Sequence, residues 1–142
     1  MKKALMLVGF VVTCALVFAA YNMSQPKSDG PDLATTRNTA EQQFSVSITP
    51  ENEGFEYNSL HNWIVTVLDS EGTPVENASI EIDGRMPAHK HGLPTSPQVT
   101  EYLGEGRYKI EGVQFHMQGL WELNLSIDNG SASDTVTFNL MF

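Results

Sequence analysis

Most of the side chains that could bind a ligand lie in one short stretch, residues 85–94, which read RMPAHKHGLP. Residues i and i+2 of an extended segment project to the same side, so His89 and His91 could bind one ion together, with Met86 close by. Imidazole nitrogen and thioether sulfur are ligands for a soft or borderline metal, copper above all. A second pair of such residues, His116 and Met117, follows later in the chain. We therefore expect a copper site with His89, His91 and His116 as ligands and Met86 and Met117 as softer additional ligands.

Three other interpretations of these residues stay open. Zinc could be bound by the histidines and a carboxylate such as Asp83, although the methionines would then be unused. His61, close to Trp63, could be a further ligand or could cap the end of a strand. Neighbouring residues of a regular strand point to opposite faces, so Met117 would face the core and His116 would face outwards. The histidines could also be incidental, on a domain that binds a partner without any metal.

Catalytic chemistry has little support in this sequence. Beyond the N-terminal segment, no stretch has the apolar period of an amphipathic helix, so the chain offers no place for the strand–turn–helix elbow that carries a nucleophilic serine. The carboxylate pairs Glu51/Glu53 and Glu101/Glu105 fall in or next to predicted turns, where they are more simply explained as solvated side chains. We therefore predict that the protein is not an enzyme.

Residues 1–21 have the pattern of a signal peptide or an N-terminal membrane anchor. Lys2 and Lys3 precede an apolar run over residues 4–20, which is long for a signal core and just long enough for a transmembrane span. Small residues near Ala19 would allow cleavage, so a cleaved signal and a retained anchor both stay open. In either case the two lysines predict that the rest of the chain lies on the periplasmic side of a bacterial cytoplasmic membrane.

The exported part is acidic and contains no cysteine. Without Lys2 and Lys3 the chain has 6 basic and 17 acidic residues, a net charge of −11, which repels nucleic acid and anionic lipid headgroups. The one cysteine, Cys14, lies in the N-terminal apolar run. The exported part can therefore form no internal disulfide and no thiolate metal site, so a hydrophobic core must stabilise it.

The remaining chain divides into a linker and one all-β domain. Residues 22–42 are polar and have no apolar period, which predicts a flexible linker. Residues 43–142 alternate apolar and polar side chains with period two and are interrupted by turn signals, which predicts an immunoglobulin-like antiparallel β-sandwich. The inward parity changes at Gly112, where we expect a β-bulge. The seven predicted strands lie near residues 44–49, 62–68, 78–83, 99–103, 107–117, 121–127 and 136–142.

Five stretches carry a family resemblance: residues 60–63 (LHNW), 72–78 (GTPVENA), 86–92 (MPAHKHG), 104–108 (GEGRY) and 115–121 (FHMQGLW). Together they resemble the YtkA-like and FixH-like group of exported bacterial domains. The resemblance covers residues 44–128 and implies a small immunoglobulin-like domain behind an N-terminal signal or anchor. FixH-like members are linked to the assembly of copper-containing respiratory oxidases, so the resemblance implies periplasmic copper handling. Many relatives have the sequence Met-Pro-Gly directly after the phenylalanine that corresponds to Phe115. This chain has His116 at that position, which adds a candidate ligand.

These observations together predict a periplasmic copper-binding module that acts in metal delivery or in the assembly of a respiratory complex. Its partners would be the metal ion and a respiratory oxidase or another periplasmic copper protein. Membrane contact would be made through the N-terminal segment, and no nucleic acid would be bound. The alternative is a periplasmic interaction or scaffold domain whose histidines are incidental.

Overall fold

The alternating side chains fold into two antiparallel sheets. The computed structural model describes residues 30–52 and 58–142, so the predicted signal or anchor, residues 1–21, lies outside the described part. This part contains no helix, and hence none that is long and apolar enough to cross a membrane. Its strands are β1 (Thr36–Asn38), β2 (Phe44–Pro50), β3 (Leu60–Asp69), β4 (Ser79–Met86), β5 (His91–Gly92), β6 (Gln98–Gly104), β7 (Arg107–Gln114), β8 (Leu120–Asp128) and β9 (Ser133–Met141).

The two sheets pack around one apolar core. The five-stranded sheet has the order β1-β2-β3-β7-β6, and the four-stranded sheet has the order β5-β4-β8-β9. Alternate residues of the long strands are buried between the sheets, as the period-two pattern predicts. The largest fully buried side chains are Trp63, Trp121, Phe44, Phe115 and Phe138. The predicted all-β, immunoglobulin-like sandwich is therefore confirmed.

Seven strands correspond to the predicted ones, and the two short strands β1 and β5 do not. β1 pairs with β2, although it lies within the range 22–42 that the sequence predicts as linker. Thr39, which follows β1, is only 2% exposed. The sandwich therefore begins before residue 43. Because β1 has no apolar side chain and pairs through its backbone alone, it leaves no periodic signal in the sequence.

The predicted β-bulge is present at Gly112. His61 pairs with Val113 and Trp63 pairs with Ile110, so β7 has one more residue than β3 between these two pairs. Gly112 has a φ of +87°, which glycine adopts without a Cβ penalty. The bulge allows Ile110 and Val113 both to face the core.

The Asp134 side chain on β9 ties the loop between β1 and β2 to the sandwich through hydrogen bonds. Asp134 accepts from the backbone N–H groups of Glu41, Gln43 and Thr135 at 2.9, 3.3 and 2.7 Å. Burial alone would raise the pKa of Asp134, but hydrogen bonds from the Thr39 side chain and these N–H groups outweigh burial and lower it.

The Tyr108 hydroxyl connects β7 to the segment between β3 and β4. It donates to the Val75 carbonyl oxygen at 2.7 Å and accepts from the Ala78 N–H at 3.0 Å. Burial raises the pKa of Tyr108, so the phenol stays protonated and keeps its donor.

Candidate metal centre

A tight turn between β4 and β5 holds two of the predicted ligands. Met86 ends β4 and pairs with His91 in β5. The Met86 carbonyl oxygen accepts hydrogen bonds from the N–H groups of His89 and Lys90 at 3.1 and 2.9 Å. Lys90 has a φ of +56°, and the ring centroids of His89 and His91 lie 6.2 Å apart. The two rings are close, as the spacing predicts, but a turn and not an extended segment brings them together.

His116 lies in the segment that joins β7 to β8, because β7 ends at Gln114. Its half-buried ring meets the Trp121 ring edge-on, with centroids 5.4 Å apart, and lies 5.9 Å from the His91 ring. Trp121 is 0% exposed, and its Nε1–H donates to the Met117 carbonyl oxygen at 2.9 Å. The turn and this segment thus bring three imidazole rings into a row, with His91 in the middle.

One ring nitrogen of His116 is buried and has no hydrogen-bond partner among the described residues. Its Nδ1 is inaccessible to solvent and pairs with no group of the described residues. An unpaired buried polar atom reduces the stability of the fold by about 1–3 kcal/mol. Buried polar atoms in native proteins therefore generally pair with a protein group, a water molecule or an ion. A metal ion could bind this nitrogen, and so remove the cost, only after the groups that cover it move aside.

The ring separations suit pairs of histidines better than all three at once. Two imidazoles that share one ion, with metal–nitrogen bonds near 2 Å, have ring centroids about 5–6 Å apart. The pairs His91–His116 and His89–His91, at 5.9 and 6.2 Å, are close to this separation. As the side chains stand, residues 30–52 and 58–142 contain no group of three or more His, Cys, Asp or Glu residues that could hold a metal ion. A three-histidine site therefore requires rotation of His89 and His91, whose side chains are exposed.

The two candidate methionines pack towards the core. Met86 is 2% exposed, and a Cβ at Gly119 would lie 2.6 Å from its Cε. Met86 therefore lies under the segment that carries His116, and Gly119 leaves the space for it. Met117 is half-buried and packs against the core, as predicted. His116 is half-buried as well and does not face outwards as strand parity predicts, because β7 ends at Gln114 before either residue. The service of the two methionines as ligands stays a prediction.

The alternative ligands lie beside this centre. The His61 ring is 6.3 Å from Phe115, and its Nε2 is 3.4 Å from the Ser59 Oγ, which fits the predicted position near a strand end. Asp83, the carboxylate considered for zinc, is exposed on β4. It lines a cleft of about 420 Å³ together with His91.

Three residues at the centre carry no ligand signal and were not predicted to belong to it. Trp121 holds the His116 ring, Gly119 admits the Met86 methyl group, and Lys90 forms the turn between the other two histidines. The only signal for Gly119 and Trp121 is the sequence FHMQGLW, in which a glycine and an aromatic residue follow a histidine across a predicted turn. For Lys90 the only signal is its place between two histidines.

Comparison with known proteins identifies the family. The sequence profile described as YtkA-like matches residues 37–126, whereas a specific relation to FixH-like proteins stays a prediction. The crystal structure of a DUF4426 family protein from Pseudomonas aeruginosa PAO1 is similar, with a TM-score of 0.55 and 14% identity over 77% of this chain and 96% of that one. At this identity the likeness shows the fold alone. None of the curated proteins matches the chain significantly. Because the matched region is more than half of the sequence, the chain belongs to the YtkA-like family.

Proposed function

We propose that the protein binds copper on the periplasmic side of the cytoplasmic membrane and passes it to a partner, such as a respiratory oxidase under assembly or another copper protein. The observation that carries this proposal is the buried Nδ1 of His116, which has no partner within residues 30–52 and 58–142 and lies on a ring next to His91. A bound ion would remove the destabilisation caused by the unpaired nitrogen and would explain why three imidazole rings lie close together. Copper is favoured over zinc because two thioethers, Met86 and Met117, occur in the same part of the fold.

The three histidines have different surroundings, and this difference favours transfer over storage. His116 is held against the fully buried Trp121, so it offers a fixed nitrogen. His89 and His91 are exposed on the β4–β5 turn, where the side chain of a partner can reach them. An ion bound to all three could keep its bond to His116 while a partner's ligands replace the other two one after the other. Such stepwise exchange would move copper without releasing it to solvent.

Isothermal titration of the purified protein with Cu(I) and with Cu(II) tests this function. We expect one ion per chain, and we expect the double variant His89→Ala/His91→Ala to lose most of the affinity because water replaces imidazole poorly. The matched control is His61→Ala, which removes a histidine whose ring neighbour is Phe115 and should bind as the wild type does. A double variant that binds copper as tightly as the wild type would refute the proposal.

A second candidate function is that of an interaction domain without metal. It is favoured by the lack of a closed ligand group in the described residues and by two exposed apolar side chains, Leu60 (66%) and Met141 (53%). The same titration separates the two functions, because a domain of this kind would take up neither form of copper.

A further inference from the structure

Among the residues that the structure describes, one lysine has no carboxylate partner. Residues 30–52 and 58–142 contain five lysines and arginines, and four of them have a carboxylate oxygen within 4.0 Å. Lys90 is the fifth and forms neither an ion pair nor a side-chain hydrogen bond with any described residue. Its ammonium group is therefore available to an external anion. The four paired cations are Arg37, Arg85, Arg107 and Lys109.

The position of Lys90 connects it to the proposed copper site. It lies between His89 and His91, in a left-handed conformation with a φ of +56° that disfavours side chains other than Gly, Asn and Asp. Gln42, Asn58, Asn77 and Glu105 also have a positive φ, so the position of Lys90 between two candidate ligands, and not its backbone conformation, points to a role for the side chain.

A cleft of about 420 Å³ lies beside the turn, and Lys90, His91, Met86, Arg85 and Asp83 contribute to its lining. This volume is in the range of small-molecule sites. The Arg85 Nε is 2.6 Å from a Glu122 carboxylate oxygen, so its charge is largely compensated. Asp83 adds a negative charge to the lining, and Lys90 adds an uncompensated positive one.

We propose that this cleft recognises copper delivered as a small anionic carboxylate chelate, with Lys90 contacting a carboxylate while His91 takes up the metal. This inference rests on the proposed copper site and adds the chemical class of the donor. The step is a ligand exchange: neutral imidazole nitrogens donate their lone pairs to Cu(II), and the carboxylate oxygens leave with their own electron pairs. The oxidation state of copper does not change. The Lys90 charge compensates the anion in a protein whose net charge would otherwise repel it.

The test compares two copper donors in stopped-flow uptake, followed by the quenching of tryptophan fluorescence, since Trp121 lies 5.4 Å from the His116 ring. The donors are Cu(II) citrate, which is anionic, and Cu(II) bis-glycinate, which is neutral. Lys90→Gln should slow uptake from citrate about threefold at low ionic strength, because it removes one unit charge about 6 Å from an anion in water. Lys90→Glu reverses the charge and should slow this uptake about tenfold. Uptake from bis-glycinate should not change. High salt should remove the difference between the variants and the wild type.

The control variant is Arg107→Gln, which removes an equal charge on β7 outside the cleft and should leave both rates unchanged. Equal slowing from both donors would overturn the inference, because Lys90 would then act on the turn and not on the anion. Uptake that does not depend on residue 90 would overturn this inference alone. A wild-type protein that takes copper from neither donor would overturn the copper function as well.

Discussion

Trp121 should be among the residues whose replacement most reduces stability, and Trp121→Ala should reduce the free energy of unfolding by about 3–5 kcal/mol. The side chain is 0% exposed and packs between Phe115 and His116, with ring centroids 5.4 Å from each. Its removal leaves a large cavity at the centre of the sandwich and also removes two aromatic contacts, each worth about 0.5–1.5 kcal/mol.

Trp121→Phe separates the hydrogen bond from the packing. Phenylalanine keeps most of the apolar surface but cannot donate to the Met117 carbonyl oxygen, a hydrogen bond of 2.9 Å that contributes about 0.5–1.5 kcal/mol. We expect an intermediate loss of stability together with weaker copper binding, because the segment that carries His116 would no longer be tied to β8.

Urea unfolding followed by far-ultraviolet circular dichroism measures both variants, with Ser126→Ala as the control on the exposed face of the same strand. The control should lie within about 0.5 kcal/mol of the wild type. A Trp121→Ala protein within about 1 kcal/mol of the wild type would refute the assignment of this side chain to the centre of the core.

Three further predictions concern other parts of the molecule. The carboxylate of Asp134 has a pKa below its ordinary 3.8. The stability that the ionised side chain contributes, relative to Asp134→Asn, should therefore be fully present above pH 3.8 and should be lost as the pH falls through the lowered pKa. Urea unfolding of both proteins across acidic pH measures this difference. Tyr108→Phe should cost about 1–3 kcal/mol in urea unfolding because two hydrogen bonds with backbone groups are lost. Alkaline phosphatase fused after Phe142 should be active in cells and a fluorescent protein exported unfolded should be dark, and the reverse pattern would contradict the predicted export.

The sequence predicted the long strands well because each of them is half-buried. Their inward residues alternate over enough positions to be unmistakable, as in Trp121–Ile127, and the parity change at Gly112 located the bulge. β1 could not be predicted, since a short polar edge strand is held by backbone hydrogen bonds and not by side-chain burial. Physical periodicity therefore identifies the elements that form the core and misses those that only extend its edges.

The candidate site was harder to predict because its geometry depends on turns. The spacing of His89 and His91 indicated that they are close, but the turn conformation at Lys90 sets how their rings face each other. The proximity of His116 to His91 depends on the packing of the β7–β8 segment against Trp121, a contact across a turn that periodicity does not encode. Likewise, only the close approach at Gly119 shows that Met86 packs beneath this segment.

The most direct test of the central claim is a count of the imidazole nitrogens bound to Cu(II), obtained by pulsed electron paramagnetic resonance on the wild type and on His116→Ala. We predict three coordinated imidazoles in the wild type and two in the variant, because His116 supplies the buried nitrogen that has no other partner in the described part of the chain. The same count in both proteins, or no coordinated imidazole in the wild type, would contradict the proposal that this row of histidines is a copper site.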